Sequence, residues 1–202
     1  MDFSDSRFTV VHHRNVWGEW VFTFEGAKLC GLRFNATPDE DGNSAAVRPS
    51  SVQACAYAGP ESEAKVRGRT AQVYSKAVRE LNSFLAGKLK EFTVPIKIHG
   101  TDFQTLVWEK VREIPYGETR TYKQVADSIG HPGAERAVGN ALHQNPMQII
   151  IPCHRVIGSD GGLTGYGGGL GNKVSLLAHE GIDLFDASMS DPSLDLARIS
   201  PG

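Results

Sequence analysis

A cysteine and a histidine stand side by side at positions 153 and 154, after an apolar run and before a glycine-rich stretch. The run has isoleucine at positions 149, 150 and 151, which predicts a short strand buried on both faces. Pro152 ends that strand and restrains the backbone before Cys153. A thiol becomes a strong nucleophile only as the thiolate, and His154 is a candidate base. The pattern predicts a nucleophilic thiol in a shaped pocket; the alternative is a buried cysteine that acts only as a small apolar side chain.

The composition is that of an ordinary soluble globular protein, with 202 residues, 40% of them hydrophobic and 22% charged. A chain of this length can form one large domain or two small ones. Because the formal net charge is −2, bulk charge gives no signal for nucleic acid and any contact with DNA must be local. The first residues lack a signal-peptide pattern and no stretch approaches the length of a membrane span. We therefore expect a soluble intracellular protein with no membrane partner.

Three cysteines, Cys30, Cys55 and Cys153, are too few and too widely spaced for a disulfide framework or a zinc motif. His12 and His13 could join Cys30 in a metal site, but adjacent residues of a strand point to opposite faces. The ligand set is also incomplete. We predict reduced thiols, no metal and no cofactor.

The first part of the chain is predicted to form a sheet and a helix. Apolar residues alternate from 16 to 34, with Trp20, Phe22 and Phe24 on one face, which predicts a β-hairpin. Residues 35–69 lack an apolar period and are expected to form a long mobile loop, a plain insertion in the simplest interpretation. A helical period follows in Val73, Ala77, Leu81 and Leu85. Residues 92–96 are predicted to form an edge strand.

The second part is predicted to be helical. Thr101 and Thr121 each have a glutamine three residues later, the capping-box pattern that starts a helix. The helix after Thr121 is expected to stop at Gly130, and another to span 134–143. Two short helices across a tight turn form a helix-turn-helix, although many helical hairpins bind nothing. A last helix is predicted over 173–180.

These motifs together resemble, in content and order, those of the O6-alkylguanine-DNA alkyltransferases. The motifs are Gly100-Thr101-Asp102-Phe103-Gln104, Ile114-Pro115-Tyr116-Gly117, Thr121-Tyr122-Lys123-Gln124, Arg136-Ala137-Val138-Gly139, Asn145-Pro146, Pro152-Cys153-His154-Arg155-Val156, Gly165-Tyr166 and His179-Glu180-Gly181. The resemblance covers roughly residues 72 to 182, and Pro-Cys-His-Arg-Val is its most specific part. It implies a suicidal DNA repair protein that moves the alkyl group of O6-alkylguanine, and more weakly of O4-alkylthymine, irreversibly onto its own cysteine.

The resemblance also implies roles for single residues. Cys153 is expected to accept the alkyl group, with His154 as a water-linked base and Glu180 as the carboxylate that orients the imidazole. Asn145 is expected to fix the shape of the active-site turn, and Tyr122 to donate a proton or hydrogen bond to the leaving guanine. Arg155 is expected to hold structure by pairing with a carboxylate or the backbone.

The substrate pocket and the DNA contacts follow in the same way. Pocket residues are expected to be Tyr166, Gly167, Gly168 and Lys173. DNA-binding residues are expected to be Arg136, Ala134, Glu135, Gly139 and Tyr122, on a helix-turn-helix that enters the minor groove. Arg136 is the expected finger that fills the gap left by a flipped base. Glu135, Ser175 and Gly167 depart from residues usual in the family, but no departure removes a catalytic group.

We therefore predict an α/β (α+β) protein. An N-terminal ribonuclease H-like sheet domain is expected over 1–98, a C-terminal winged helix-turn-helix domain over 99–185 and a disordered tail over 186–202. The expected partner is double-stranded DNA that carries O6-alkylguanine, bound by a monomer with possible cooperativity, in the cytoplasm of a prokaryote or the nucleus of a eukaryote. Two rival functions are a non-catalytic alkylated-DNA-binding protein of the alkyltransferase-like kind, which Cys153 disfavours, and a cysteine hydrolase, which the adjacency of Cys153 and His154 disfavours.

Overall fold

A computed structural model describes residues 7–15, 17–35, 66–163, 166 and 169–182. The chain divides into two compact units. The first unit comprises Met1–His99 and Pro146–Ile150, and the second comprises Gly100–Asn145 and Ile151–Gly202. Most of the predicted loop at 35–69, the predicted tail at 186–202 and Cys55 lie outside the described residues.

The first unit is built on a three-stranded antiparallel sheet of β1 (Phe8–Asn15), β2 (Gly18–Glu25) and β3 (Lys28–Asn35). The predicted hairpin is confirmed as β2 and β3, whereas β1 was not predicted. Trp20, Phe22 and Phe24 are buried, as their alternation predicts. The helix α1 (Gly68–Leu85) lies against this sheet, with the ring of Tyr74 edge-on to two of the buried phenylalanines.

Residues 92–96 do not form the predicted strand. Their contact with the sheet is one parallel bridge between Leu29 and Ile96. The amides of Thr93 and Val94 instead donate hydrogen bonds, both at 2.9 Å, to the buried carboxylate of Glu80 on α1. Because these donors are bound to a side chain, they cannot extend a ladder.

The isoleucines at 149 to 151 are buried as predicted, but they do not form a strand. Ile149 has φ 71°, a left-handed conformation that is strained for a β-branched residue. The extended pairing occurs earlier, where Met147 forms a parallel bridge with Leu32 on β3. The segment Pro146–Ile150 thus belongs to the first unit, although the sequence placed it in the second domain.

The second unit contains the predicted helices, here α2 (Asp102–Arg112), α3 (Tyr122–Ser128), α4 (Glu135–His143) and α5 (Leu170–His179). Both capping boxes are present, at Thr101 and at Thr121. The last helix begins three residues before its predicted start. Two short parallel strands, β4 (Arg120–Thr121) and β5 (Val156–Ile157), pair between the helices.

The core of the second unit fixes the helices around α2. Trp108 is buried and donates an indole hydrogen bond at 2.8 Å to the carbonyl oxygen of Ala141 on α4. A Cβ at Gly100 would lie 2.5 Å from the Trp108 ring, so only glycine fits there. The α/β fold class, with an N-terminal sheet unit and a C-terminal helical unit, is confirmed. None of the helices in the described ranges combines the length and apolar character that crossing a bilayer requires.

Candidate active site

The site is built around a tight turn at Pro152. The Cys153 amide donates a hydrogen bond to the carbonyl oxygen of Ile151 at 2.7 Å, and Pro152 has φ −79° and ψ 62°. These values are those of an inverse γ-turn. A 3-10 turn over Cys153–Arg155 follows directly and leads into β5. The backbone alone therefore fixes the position of the thiol, as expected from Pro152.

Asn145 connects the turn and the sulfur. Its Nδ2 donates to the carbonyl oxygen of Ile151 at 2.8 Å and to the Sγ of Cys153 at 3.0 Å. An amide nitrogen has two hydrogens, so both bonds can form together. Asn145 is buried, and its contact orients the sulfur while it favours the negative form of the thiol.

The His154 imidazole is fully buried and points to a carboxylate. Its Nε2 lies 2.8 Å from the Oε1 of Glu180, which caps the C-terminal end of α5. No hydrogen-bond partner of His154 Nδ1 is found among the described residues. The pair expected from the sequence is therefore present, with one ring nitrogen bound to Glu180 and the other left for further chemistry.

Arg155 and Gly117 hold Glu180 in place. Arg155 Nε donates to Glu180 Oε2 at 2.8 Å, and Nη2 donates to Oε1 at 2.9 Å. Nη1 of the same guanidinium donates to the carbonyl oxygen of Ile114 at 2.6 Å. The Gly117 amide donates to Glu180 Oε2 at 3.1 Å from a turn that needs a positive φ of 79°. Arg155 thus has the structural contacts that the sequence predicts.

These contacts determine the protonation states of Glu180 and His154. Burial acts to raise the pKa of Glu180, but the hydrogen bonds of His154 and Arg155 outweigh it and lower the pKa to about 2. Burial lowers the pKa of His154, so the imidazole is neutral at neutral pH. Because an ionised carboxylate can only accept, the proton of the neutral ring is assigned to Nε2 and the lone pair to Nδ1.

Two phenols and a lysine complete the surroundings of the sulfur. Tyr122 is the first residue of α3, and Tyr166 lies in the glycine-rich stretch. Burial, and then the charge of Cys153, raise the pKa of both phenols. Lys173 on α5 is fully buried and donates to the carbonyl oxygen of Val156 at 2.7 Å. Each of these three groups couples electrostatically to Cys153.

Of the predicted DNA-contact residues, Ala134, Glu135 and Arg136 lie at the start of α4, whereas Gly139 lies in its middle and Tyr122 begins α3. Arg136 is exposed and has no hydrogen bond or ion pair to the described residues. Ala134 is the N-cap and Glu135 the first helical residue, and both are half-buried. A Cβ at Gly139 would lie 3.7 Å from the Tyr122 ring, an ordinary contact distance, so Gly139 faces Tyr122 of α3.

Gly167 and Gly168 lie outside the described residues. The structure adds site residues that the sequence did not assign, namely Ile114 and Gly117. The signal for Gly117 was available, because a glycine after Pro115-Tyr116 indicates a turn, but its contact with Glu180 lies 63 residues away. Among the described residues, no group of three or more His, Cys, Asp or Glu side chains could hold a metal ion.

The fold and the site define a thiol protein whose nucleophile lies in a helix-turn-helix unit. A family model described as 6-O-methylguanine DNA methyltransferase, DNA binding domain, matches residues 102–182. The chain is 57% identical over 107 residues to the methylated-DNA--protein-cysteine methyltransferase of Mycobacterium tuberculosis, which is 53% of this chain and 65% of that protein. The relative of the same name from Methanosarcina barkeri is 57% identical over 107 residues, 53% of this chain and 68% of the relative.

The comparison with solved structures leads to the same family. The crystal structure of Mycobacterium tuberculosis OGT in complex with DNA matches with a TM-score of 0.64 and 38% identity, covering 86% of this chain and 92% of that chain. The sequence match spans less than two thirds of the length of the first curated relatives, 65% in each of three. The chain belongs to the 6-O-methylguanine DNA methyltransferase family.

Proposed function

We propose that this protein transfers the alkyl group of O6-alkylguanine in DNA to the sulfur of Cys153, once per molecule. This proposal rests on the contacts around that sulfur. Asn145 donates a hydrogen bond to it, and the adjacent His154 is bound to an ionised Glu180. In the reaction the bond from carbon to sulfur forms as the bond from carbon to O6 breaks. The product is a thioether, which neither water nor a thiol readily reverses, so the protein is consumed.

His154 Nδ1 is the base in this reaction. It holds the lone pair because Nε2 donates its proton to Glu180. The thiol proton passes to Nδ1 through a water molecule, which leaves a thiolate next to the Asn145 amide. The imidazolium that forms is stabilised by Glu180, whose charge is held by Arg155.

Tyr122 assists the leaving group. Because burial raises its pKa, the phenol keeps its proton at neutral pH. It can therefore donate to the guanine, which takes up negative charge as the bond from carbon to O6 breaks. Tyr166 is assigned to the wall of the base pocket; the two glycines that the sequence predicts beside it, Gly167 and Gly168, lie outside the described residues. In these roles, neutral donors stabilise the departing anion.

The partner is double-stranded DNA, and α4 is the element that enters its minor groove. A base in a duplex cannot reach a buried sulfur, so it must be flipped out. Arg136 is exposed at the start of α4 and can fill the gap, while Ala134, Glu135 and Gly139 lie along the same helix. We expect the protein to act as a monomer inside the cell.

A stoichiometry experiment tests the proposal. The protein is mixed with an excess of duplex that carries one labelled O6-methylguanine, and repaired guanine is counted over time. We expect a plateau at one equivalent per protein molecule, and the same plateau for Cys30→Ser as a matched control. Continued turnover beyond one equivalent would contradict the proposal and favour a hydrolase.

A further inference from the structure

Lys173 is fully buried, with 0% exposure, which is uncommon for a residue that carries an ammonium group. Its Nζ donates to the carbonyl oxygen of Val156, which directly follows the 3-10 turn that starts with Cys153. The helix that carries Lys173, α5, packs against this turn. The backbone next to the thiol therefore fixes the position of a positive charge inside the site.

The coupling between the two residues acts in both directions. Burial lowers the pKa of Lys173 to about 8, whereas the charge of Cys153 raises it. Burial raises the pKa of Cys153, whereas the hydrogen bond from Asn145 and the charge of Lys173 lower it. Each charged form thus stabilises the other, as an ion pair requires.

We propose that the ammonium group of Lys173 is the counter-ion of the Cys153 thiolate, a role in alkyl transfer that rests on the function proposed above. The thiol proton leaves through His154, and Lys173 keeps its proton throughout. As the carbon moves from O6 to sulfur, the thiolate becomes a neutral thioether and the guanine takes up the negative charge. Lys173 therefore stabilises the attacking form of the sulfur.

The other titratable groups near the sulfur do not provide this charge. Tyr122 and Tyr166 are neutral at neutral pH because burial raises the pKa of each phenol. His154 is neutral because burial lowers its pKa. The charge of Arg155 is used in its ion pair with Glu180. A fixed cation at Lys173 is consistent with a thiolate that forms inside a buried pocket.

The test measures the ionisation of Cys153 without DNA. In a background of Cys30→Ser and Cys55→Ser, the rate of alkylation by iodoacetamide is recorded from about pH 5 to about pH 10, because only the thiolate reacts. Lys173→Gln removes the charge but keeps a donor for the carbonyl of Val156. We expect its rate at neutral pH to fall about tenfold, the change that corresponds to about 1.4 kcal/mol, with the midpoint at higher pH. Lys173→Arg should keep the wild-type midpoint, and Ser175→Ala on the same helix should leave it unchanged.

An unchanged midpoint in Lys173→Gln overturns the proposal. Should that variant not fold, the reciprocal measurement decides: the ammonium of Lys173 is titrated by nitrogen NMR in the wild type and in Cys153→Ala. We expect Lys173 to lose its proton at lower pH in Cys153→Ala, and equal titrations overturn the proposal. Neither measurement needs DNA, so a wild-type protein that fails to take the alkyl group from DNA would refute the proposed function separately.

Discussion

The surroundings of Cys30 and Cys153 differ in the direction of the hydrogen bond that each sulfur makes. Cys30 on β3 is 1% exposed, and its Sγ donates to the carbonyl oxygen of Thr23 at 3.4 Å. Cys153 is 7% exposed, and its Sγ accepts from Asn145 at 3.0 Å. A sulfur that donates must keep its proton, whereas a sulfur that accepts is stabilised as the thiolate.

Charge separates the two sites in the same sense. Burial raises the pKa of Cys30 to about 11, and the charge of Glu25 acts in the same direction, against a smaller opposing effect of Lys97. Burial also raises the pKa of Cys153, but Asn145 and Lys173 oppose it. Both thiols are buried, so burial does not distinguish a nucleophile from a packing residue. The polar neighbours make that distinction.

The largest effect is expected from exchanging the nucleophile. Cys153→Ser should abolish alkyl transfer from DNA, because a hydroxyl is a far weaker nucleophile than a thiolate at neutral pH. Cys30→Ser should transfer at the wild-type rate, because burial and the charge of Glu25 keep the Cys30 thiol protonated. Single-turnover assays on a duplex with O6-methylguanine measure both. Transfer by Cys153→Ser, or loss of transfer in Cys30→Ser, would contradict the assignment of Cys153 as the nucleophile.

The second effect concerns the base next to Cys153. His154→Ala removes the proton acceptor, and we expect a loss of transfer rate of about 100-fold or more. Glu180→Gln leaves His154 without its ionised partner and should also lower the rate. If the two residues act as a unit, the double variant should lose much less than the product of the single losses. Multiplicative losses in single-turnover rates would show that Glu180 has only a structural role.

The third effect tests the hydrogen bond that distinguishes the two sulfurs. Asn145→Ala removes the donor to Cys153 and leaves the carbonyl of Ile151 without its side-chain partner. Hydrogen bonds to charged groups contribute about 1.5–3 kcal/mol, so we expect the rate of thiol alkylation at neutral pH to fall roughly 10–100-fold. Thermal unfolding in parallel separates this loss from a loss of fold. An unchanged midpoint of the pH profile would show that Asn145 does not stabilise the thiolate of Cys153.

The smallest effect on the chemistry itself is expected at Arg136, which lies on α4 and not at the sulfur. Arg136→Ala should slow repair of duplex DNA about 10–100-fold, because extruding a base costs a few kcal/mol. Reaction with free O6-benzylguanine needs no extrusion and should change little. Equal losses on both substrates would mean that Arg136 supports the pocket or the fold.

The sequence predicted those parts of the fold and site that depend on local patterns. The capping boxes at Thr101 and Thr121 join residues three positions apart, so both helix starts could be predicted. The backbone restraint before Cys153 is also local, because it comes from Pro152, and could be predicted for the same reason. The strand predicted over 92–96 failed because of a distant partner: Glu80 accepts the amide hydrogens of Thr93 and Val94, which no local pattern shows.

The geometry of the charged set was also beyond local reasoning. Arg155 was expected to bind a carboxylate or the backbone, but its partners Glu180 and Ile114 are 25 and 41 residues away. The left-handed Ile149 runs against its own β-branched preference, so a strand was the reasonable expectation there. The assignment of Cys153, by contrast, needed only the specific motif around it.

The mass of the reacted protein shows whether Cys153, with its polar neighbours, is the acceptor. The protein is incubated with a duplex that carries one O6-methylguanine, weighed intact and then mapped by peptide. We expect one added methyl group, on the peptide that contains Cys153, and none on Cys30 or Cys55. A methyl group on Cys30, or an unmodified protein that still binds the damaged duplex, would contradict it.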